Sequence, residues 1–205
     1  MKIYDITQTI SATMTVYKDK PEKRPDIKVN RLHVQGGVME STITLDVHTG
    51  THLDAPLHML ENGQTIDTMP LEPLITPCKV IDLTHVEDGI TEEDLKMHPI
   101  ESGDVLLFKT RNSFENFFNP NFIYLTEQGA QWLASLGVKG VGTDALGIER
   151  SQPGHPTHRT LFGAGIYVLE GLALADIEPG SYELIALPLK LKGLEASPVR
   201  AVLRR

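Results

Sequence analysis

The segment HTGTHLDAPLH, residues 48–58, limits what this chain can fold into more than any other stretch. It places His48, His52, Asp54 and His58 within eleven residues. His48 and His52 have helical spacing, yet a helix is a poor host for this sequence. Gly50 costs about 1 kcal/mol in a helix interior and Pro56 about 3. The preceding STITLDVH alternates like a strand, with Ile43, Leu45 and Val47 on one face. In extended backbone the even-numbered residues from 48 to 58 share a face. Fully extended, that span is about 33 Å, too long for one site. The chain therefore has to bend. Gly50 permits the bend because it tolerates backbone angles other residues avoid. Bent there, His48, His52 and Asp54 can converge on one ion, with His58 slightly further on.

Imidazole and carboxylate are ligands for zinc and neighbouring transition metals. Two histidines and one carboxylate leave a coordination position open, as catalytic rather than structural sites do. A second cluster lies in PGHPTHRTLFGAGIYVLEGL, residues 153–172, with His155, His158 and Glu170. Glu170 ends an apolar strand-like run, where a buried carboxylate needs a partner. On these residues alone, either His155 or His158 could join it.

Elsewhere, CKVIDLT, DVLLFKT, KGVGTD, GIYVLEG and YELIALPLKL read as strands, as does KIYDITQTI at the start. Pro188 and Pro198 favour an extended tail. Helices are fewer. TEEDLKMH starts with Thr91 as N-cap and Asp94 three residues on. TEQGAQWLASLG is capped by Thr126 and closed by Gly137. The prolines from 153 to 156 indicate an irregular segment. The expected fold class is α/β: one strand-rich domain over residues 1–205, with a mixed sheet and few helices.

With 205 residues, a single such domain can bury a stable core. The net charge of −8 repels a polyanion, so no nucleic-acid partner is expected. No apolar run reaches the roughly 20 residues of a membrane span, and the start has no secretory apolar region. A single cysteine, Cys78, rules out an internal disulfide and suits a reducing compartment, so a cytoplasmic location is expected.

HTGTHLDAPLH resembles the H-x-G-T-H-x-D-x-P-x-H signature of the metal-dependent cyclase family, which includes bacterial kynurenine formamidases and isatin hydrolases. HRTLFGAGIYVLEGL and LPLKLKGLEASPVRAVL resemble two further segments of that family. The resemblance implies a swivelling β/β/α fold and two divalent ions per chain, zinc first, with manganese as the other choice. His48, His52 and Asp54 would hold one ion. Asp54, His158 and Glu170 would hold the other, with the Asp54 carboxylate bridging. His58 would be the catalytic acid–base residue, and His155 has no implied role. The implied reaction is hydrolysis of an aryl formamide, N-formyl-L-kynurenine to formate and L-kynurenine, by a metal-activated hydroxide. The partner is then a small-molecule substrate, and the assembly a homodimer or larger. The alternatives are a hydrolase of cyclic amides such as isatin, and a non-catalytic metal-holding protein. VYKDKPE, residues 16–22, departs from the family's aromatic-Pro-Gly-Asp stretch, and Gly147 stands where many relatives carry serine. Both departures bear on the substrate pocket. Tyr17, Phe114, Phe117, Phe118 and Phe122 are candidates for its walls or for core and dimer contacts. Asp144 is expected to be structural.

Overall fold

A computed structural model describes residues 1–34 and 37–205. The strands are β1 (Ile3–Asp5), β2 (Asp26–Arg31), β3 (Glu40–Thr44), β4 (His52–Asp54), β5 (Ile75–Asp82), β6 (Gly89–Ile90), β7 (Val105–Lys109), β8 (Tyr124–Leu125), β9 (Gly140–Thr143), β10 (Tyr167–Glu170), β11 (Gly180–Pro188) and β12 (Ala196–Arg204). The α-helices among the described residues are α1 (Glu92–Lys96), α2 (Glu127–Leu136) and α3 (Pro156–Gly163). None is long and apolar enough to cross a membrane.

The main sheet runs β1-β12-β11-β5-β7-β9-β10-β4, and β4 also pairs with β12, which closes it into a barrel. Three neighbouring pairs, β5–β7, β7–β9 and β9–β10, are parallel, and the remaining pairs in this sheet are antiparallel. The sheet is therefore mixed, as its sequence patterns require. Strands covered on both faces read as continuous apolar runs. β7 does so, and its residues divide by parity. Val105 and Leu107 join the core inside the barrel, with Leu53, Leu169, Leu184 and Leu203. Leu106 and Phe108 face outward into a second core with Leu133 of α2 and Leu161 of α3. In β9, Gly142 leaves room for neighbours: a Cβ there would lie 2.6 Å from a methyl carbon of Leu107.

Both expected helices form with the expected caps. Thr91 and Asp94 make a reciprocal capping box on α1. The Thr126 hydroxyl accepts from the Gly129 N–H, and Gly137 closes α2 with φ 79°. The structure corrects the reading of residues 153–163. The irregular segment ends at Pro156, which is the first residue of α3, a position where its missing N–H costs nothing. The helix was obscured by the polar run Thr157–Thr160. A second correction concerns STITLDVH, whose strand stops at Thr44. Asp46 ends it: its carboxylate accepts from the His48 N–H at 2.9 Å and its carbonyl from the Thr49 N–H at 3.0 Å. Leu45 thus lies in irregular backbone and Val47 in a turn, and Ile43 is exposed on the β2–β3 hairpin. The opening strand is also shorter than its pattern, because Asp5 turns the chain by accepting from the Thr7 N–H.

Candidate metal centre

The bend expected at Gly50 is present, with φ +62°. Beyond it, β4 carries His52, Leu53 and Asp54, all buried. Antiparallel pairing sets Glu170 of β10 directly opposite His52, and Val168 opposite Asp54. Leu53 and Leu169 therefore point into the barrel, while His52, Asp54 and Glu170 share its outer face, beneath α3. The two segments touch at their glycines. A Cβ on Gly171 would lie 2.3 Å from the carbonyl oxygen of Gly50. The Thr51 hydroxyl donates to the Gly171 carbonyl at 2.5 Å.

Asp54 lies at the centre of the cluster. Its Oδ1 is 2.9 Å from His48 Nδ1 and 3.4 Å from His52 Nε2, and its Oδ2 is 3.7 Å from His158 Nε2. Glu170 completes the ring: Oε2 is 3.3 Å from His52 Nε2, and Oε1 is 3.3 Å from His158 Nε2. His52 is oriented by its Nδ1, 2.9 Å from the Gly50 carbonyl, and Glu170 by the Ile148 N–H, 2.6 Å from Oε1. His58 follows from the short 3₁₀ turn Pro56–His58, its ring centroid 4.3 Å from that of His48 and 5.6 Å from that of His158. The structure thus gathers His48, His52, Asp54, His58, His158 and Glu170 in one place.

Several of these atoms fit a cation better than they fit each other. His52 Nε2, both oxygens of Asp54 and Nε2 of His158 are buried without a hydrogen-bond partner among the described residues. An orphaned buried polar atom costs about 1–3 kcal/mol. Donors placed tetrahedrally about 2.1 Å from a centre stand about 3.4 Å apart, the spacing found between these nitrogens and oxygens. The donor set suits a borderline divalent metal.

Without a cation, proton sharing shapes the electrostatics. Burial opposes charge on His52, but the Glu170 and Asp54 carboxylates outweigh it and raise its pKa to about 9. Burial and the Asp54 charge push Glu170 upward, yet His158 and His52 bring it down to about 2. Burial likewise opposes charge on Asp54, which His158 and His48 nevertheless hold well below the carboxylate range. His58 differs: burial is the leading influence and depresses its pKa below 6.5.

Glu149 was not anticipated. Its Oε1 lies 2.5 Å from His155 Nδ1 and 3.2 Å from His158 Nδ1, and its Oε2 accepts from the Thr157 N–H at 2.9 Å. His155 holds the N-cap position of α3 in left-handed backbone, pairs with Glu149, and lines the cavity over the cluster. The available cue was GTDALGIE, in which an acid follows a strand and a turn. Asp144 is buried and accepts from Thr110, Asn112 and Ser113, tying down the β7 exit. A cavity of about 310 Å³ opens over the cluster, lined by Tyr17 and Met59 as well as His48, His58, His158 and Glu170. Phe118 and Phe122 pack edge-on against Tyr17, while Phe114 and Phe117 are exposed.

The Cyclase family model matches residues 4–150. The chain belongs to the cyclase family. It is 35% identical to a kynurenine formamidase of Salinibacter ruber over 207 residues, covering 100% of this chain and 98% of that protein. A kynurenine formamidase of Bordetella avium is 36% identical over 205 residues, covering 99% of this chain and 98% of the other. Among solved structures, one described as a potential metal-dependent hydrolase with cyclase activity is 52% identical with a TM-score of 0.91, over 98% of this chain and 96% of that one. Isatin hydrolase A from Labrenzia aggregata is 27% identical with a TM-score of 0.86, over 98% of this chain and 93% of the other.

Proposed function

We propose that this chain is a metal-dependent amide hydrolase of one domain, residues 1–205, acting on an aryl formamide, N-formyl-L-kynurenine, to release formate and L-kynurenine. One observation carries the reading: the two oxygens of Asp54 face different imidazoles, His48 and His52 on one side and His158 on the other. That is the disposition of a carboxylate shared by two cations. His48, His52 and Asp54 would hold one, and Asp54, His158 and Glu170 the other. Zinc is the first choice for both, with manganese as the alternative. Two bound divalent ions supply an activated water and polarise the substrate carbonyl.

The remaining work falls to the chain's own side chains. Hydrolysis adds the water oxygen to the formyl carbon and breaks its bond to nitrogen, and the aniline nitrogen needs a proton to leave. His58 is half-buried beside the cluster, and burial lowers its pKa and favours its neutral form. It can take the proton from water and return it to nitrogen. Glu149 steadies the far nitrogen of His158, and a ligand held from behind keeps its orientation. Tyr17, backed by Phe118 and Phe122, offers an apolar wall for an aryl ring.

The likeness to isatin hydrolase A favours one competing substrate class, cyclic amides. A panel containing N-formyl-L-kynurenine, isatin and generic amides separates the two. Faster turnover of N-formyl-L-kynurenine supports the first reading. Ready ring opening of isatin with slow deformylation overturns it. We place the enzyme in the cytoplasm, consistent with its buried lone thiol, Cys78. We also infer a homodimer or larger assembly. Ile27, Val29 and Ile43 on the β2–β3 hairpin leave apolar surface that a second copy can cover.

A further inference from the structure

The cavity over the cluster contains charge that hydrolysis of a bare formamide does not need. Lys23 and Asp46 line it together with His48, His58 and Glu170. Lys23 Nζ donates to Asp46 Oδ2 at 2.9 Å, and the two side chains are 33% and 29% exposed. Lys23 is the one lysine or arginine among the described residues lining this cavity. An ammonium has three donors, and among the described residues Asp46 takes one of them. Asp46 is anchored in turn, because its other oxygen accepts from the His48 N–H at 2.9 Å.

The segment that delivers Lys23 is held in an unusual shape. Lys18 and Asp19 both have positive φ, 57° and 49°, without being glycine. Such backbone is strained for a non-glycine residue and persists only where its surroundings enforce it. Here Arg24 pairs with Asp19 at 2.6 Å, and Pro21 opens the short 3₁₀ turn ending at Lys23. The same segment projects Tyr17 into the cavity. Its first seven residues are VYKDKPE, residues 16–22, the stretch that departs from the family pattern.

We propose that Lys23, positioned by Asp46, is a specificity-determining residue that receives the carboxylate of the substrate's amino-acid arm, with Asp46 meeting its ammonium. The inference rests on the aryl-formamide reading and deepens it: the substrate is an aryl formamide bearing a zwitterionic arm, not a bare anilide or a neutral cyclic amide. Hydrogen bonds between charged groups are worth about 1.5–3 kcal/mol, which is roughly tenfold or more in affinity.

The test compares kcat/KM for N-formyl-L-kynurenine, its methyl ester and formanilide in the metal-loaded enzyme. The wild type is expected to prefer the free acid over the ester by roughly tenfold or more. Lys23→Met should collapse the preference for the acid over formanilide by a similar factor, and Lys23→Arg should largely keep it. An ester processed as well as the acid, or a preference unmoved by Lys23→Met, overturns the inference while leaving the aryl-formamide reading intact. Wild-type enzyme with no turnover of N-formyl-L-kynurenine overturns both. The ester comparison needs no variant, so it stands even if Lys23→Met fails to fold.

Discussion

His58 differs from the other imidazoles of the site in how its surroundings treat charge. His52 and His158 face carboxylates that favour their protonated forms, whereas burial leads in holding His58 neutral. The sign follows directly. A depressed pKa means the base form survives below pH 6.5, so the acidic limb of the kcat/KM profile should fall below that value. A limb centred well above 6.5 would assign it to another group. His58→Ala should retain its metal and lose roughly 10²–10⁴-fold in kcat. Metal analysis beside initial rates checks both halves, and unchanged hydrolysis would remove His58 from the reaction. At this scale the sequence was highly legible, because His48, His52, Asp54 and His58 crowd into one short segment around Gly50. Glu149 was hidden for a physical reason: an isolated acid after a strand reads as surface until α3 folds its N-terminus onto it.

Two bends, not one, bring the ligand-bearing segments together. Gly50 and Gly171 both have positive φ, 62° and 68°, and their backbones touch. Gly171→Ala would drive a methyl group into the Gly50 carbonyl and should destabilise the fold by roughly 2 kcal/mol or more, with loss of metal affinity. Gly50→Ala meets the end of the flexible Met14 side chain at 3.2 Å and otherwise only ordinary contacts at 3.8 Å, so its cost should be mostly backbone, about 1–2 kcal/mol. Gly163→Ala, with nothing within 4 Å, is the control and should be neutral or slightly stabilising. Denaturant melts of the three variants check the ranking, and equal effects would refute the glycine contact as a constraint. Strands with continuous apolar runs, such as β7, and helices with threonine caps were readable from sequence because the signal is local. α3 was not, since its stability comes from Leu161 and Phe162 packing on the outer core rather than from its polar first turns. Nor was closure of the barrel through β4–β12, which joins residues far apart in the chain.

At the level of the whole molecule, the cluster couples folding to pH, and a bound metal would add to that coupling. In the metal-free protein His52 is raised to about 9, so its contribution to stability is present below its unfolded value near 6.5 and lost as pH rises through 9. Glu170 is lowered to about 2, so its contribution is present above 4.5 and lost as pH falls toward 2. Metal binding requires neutral imidazoles and displaces these protons. The gain in Tm on adding zinc to stripped protein should therefore be larger at pH 9 than at pH 6. A gain that is the same at both would argue against His52 as a ligand.

We propose that one carboxylate, Asp54, joins two ligand sets into a single two-metal centre. Elemental analysis of metal per chain in the wild type and in Asp54→Asn tests it most directly. The wild type should hold two ions per chain, and the variant should lose both or all but a weakly held one. Full metal content in Asp54→Asn, or a wild-type chain that binds no divalent ion, would contradict it.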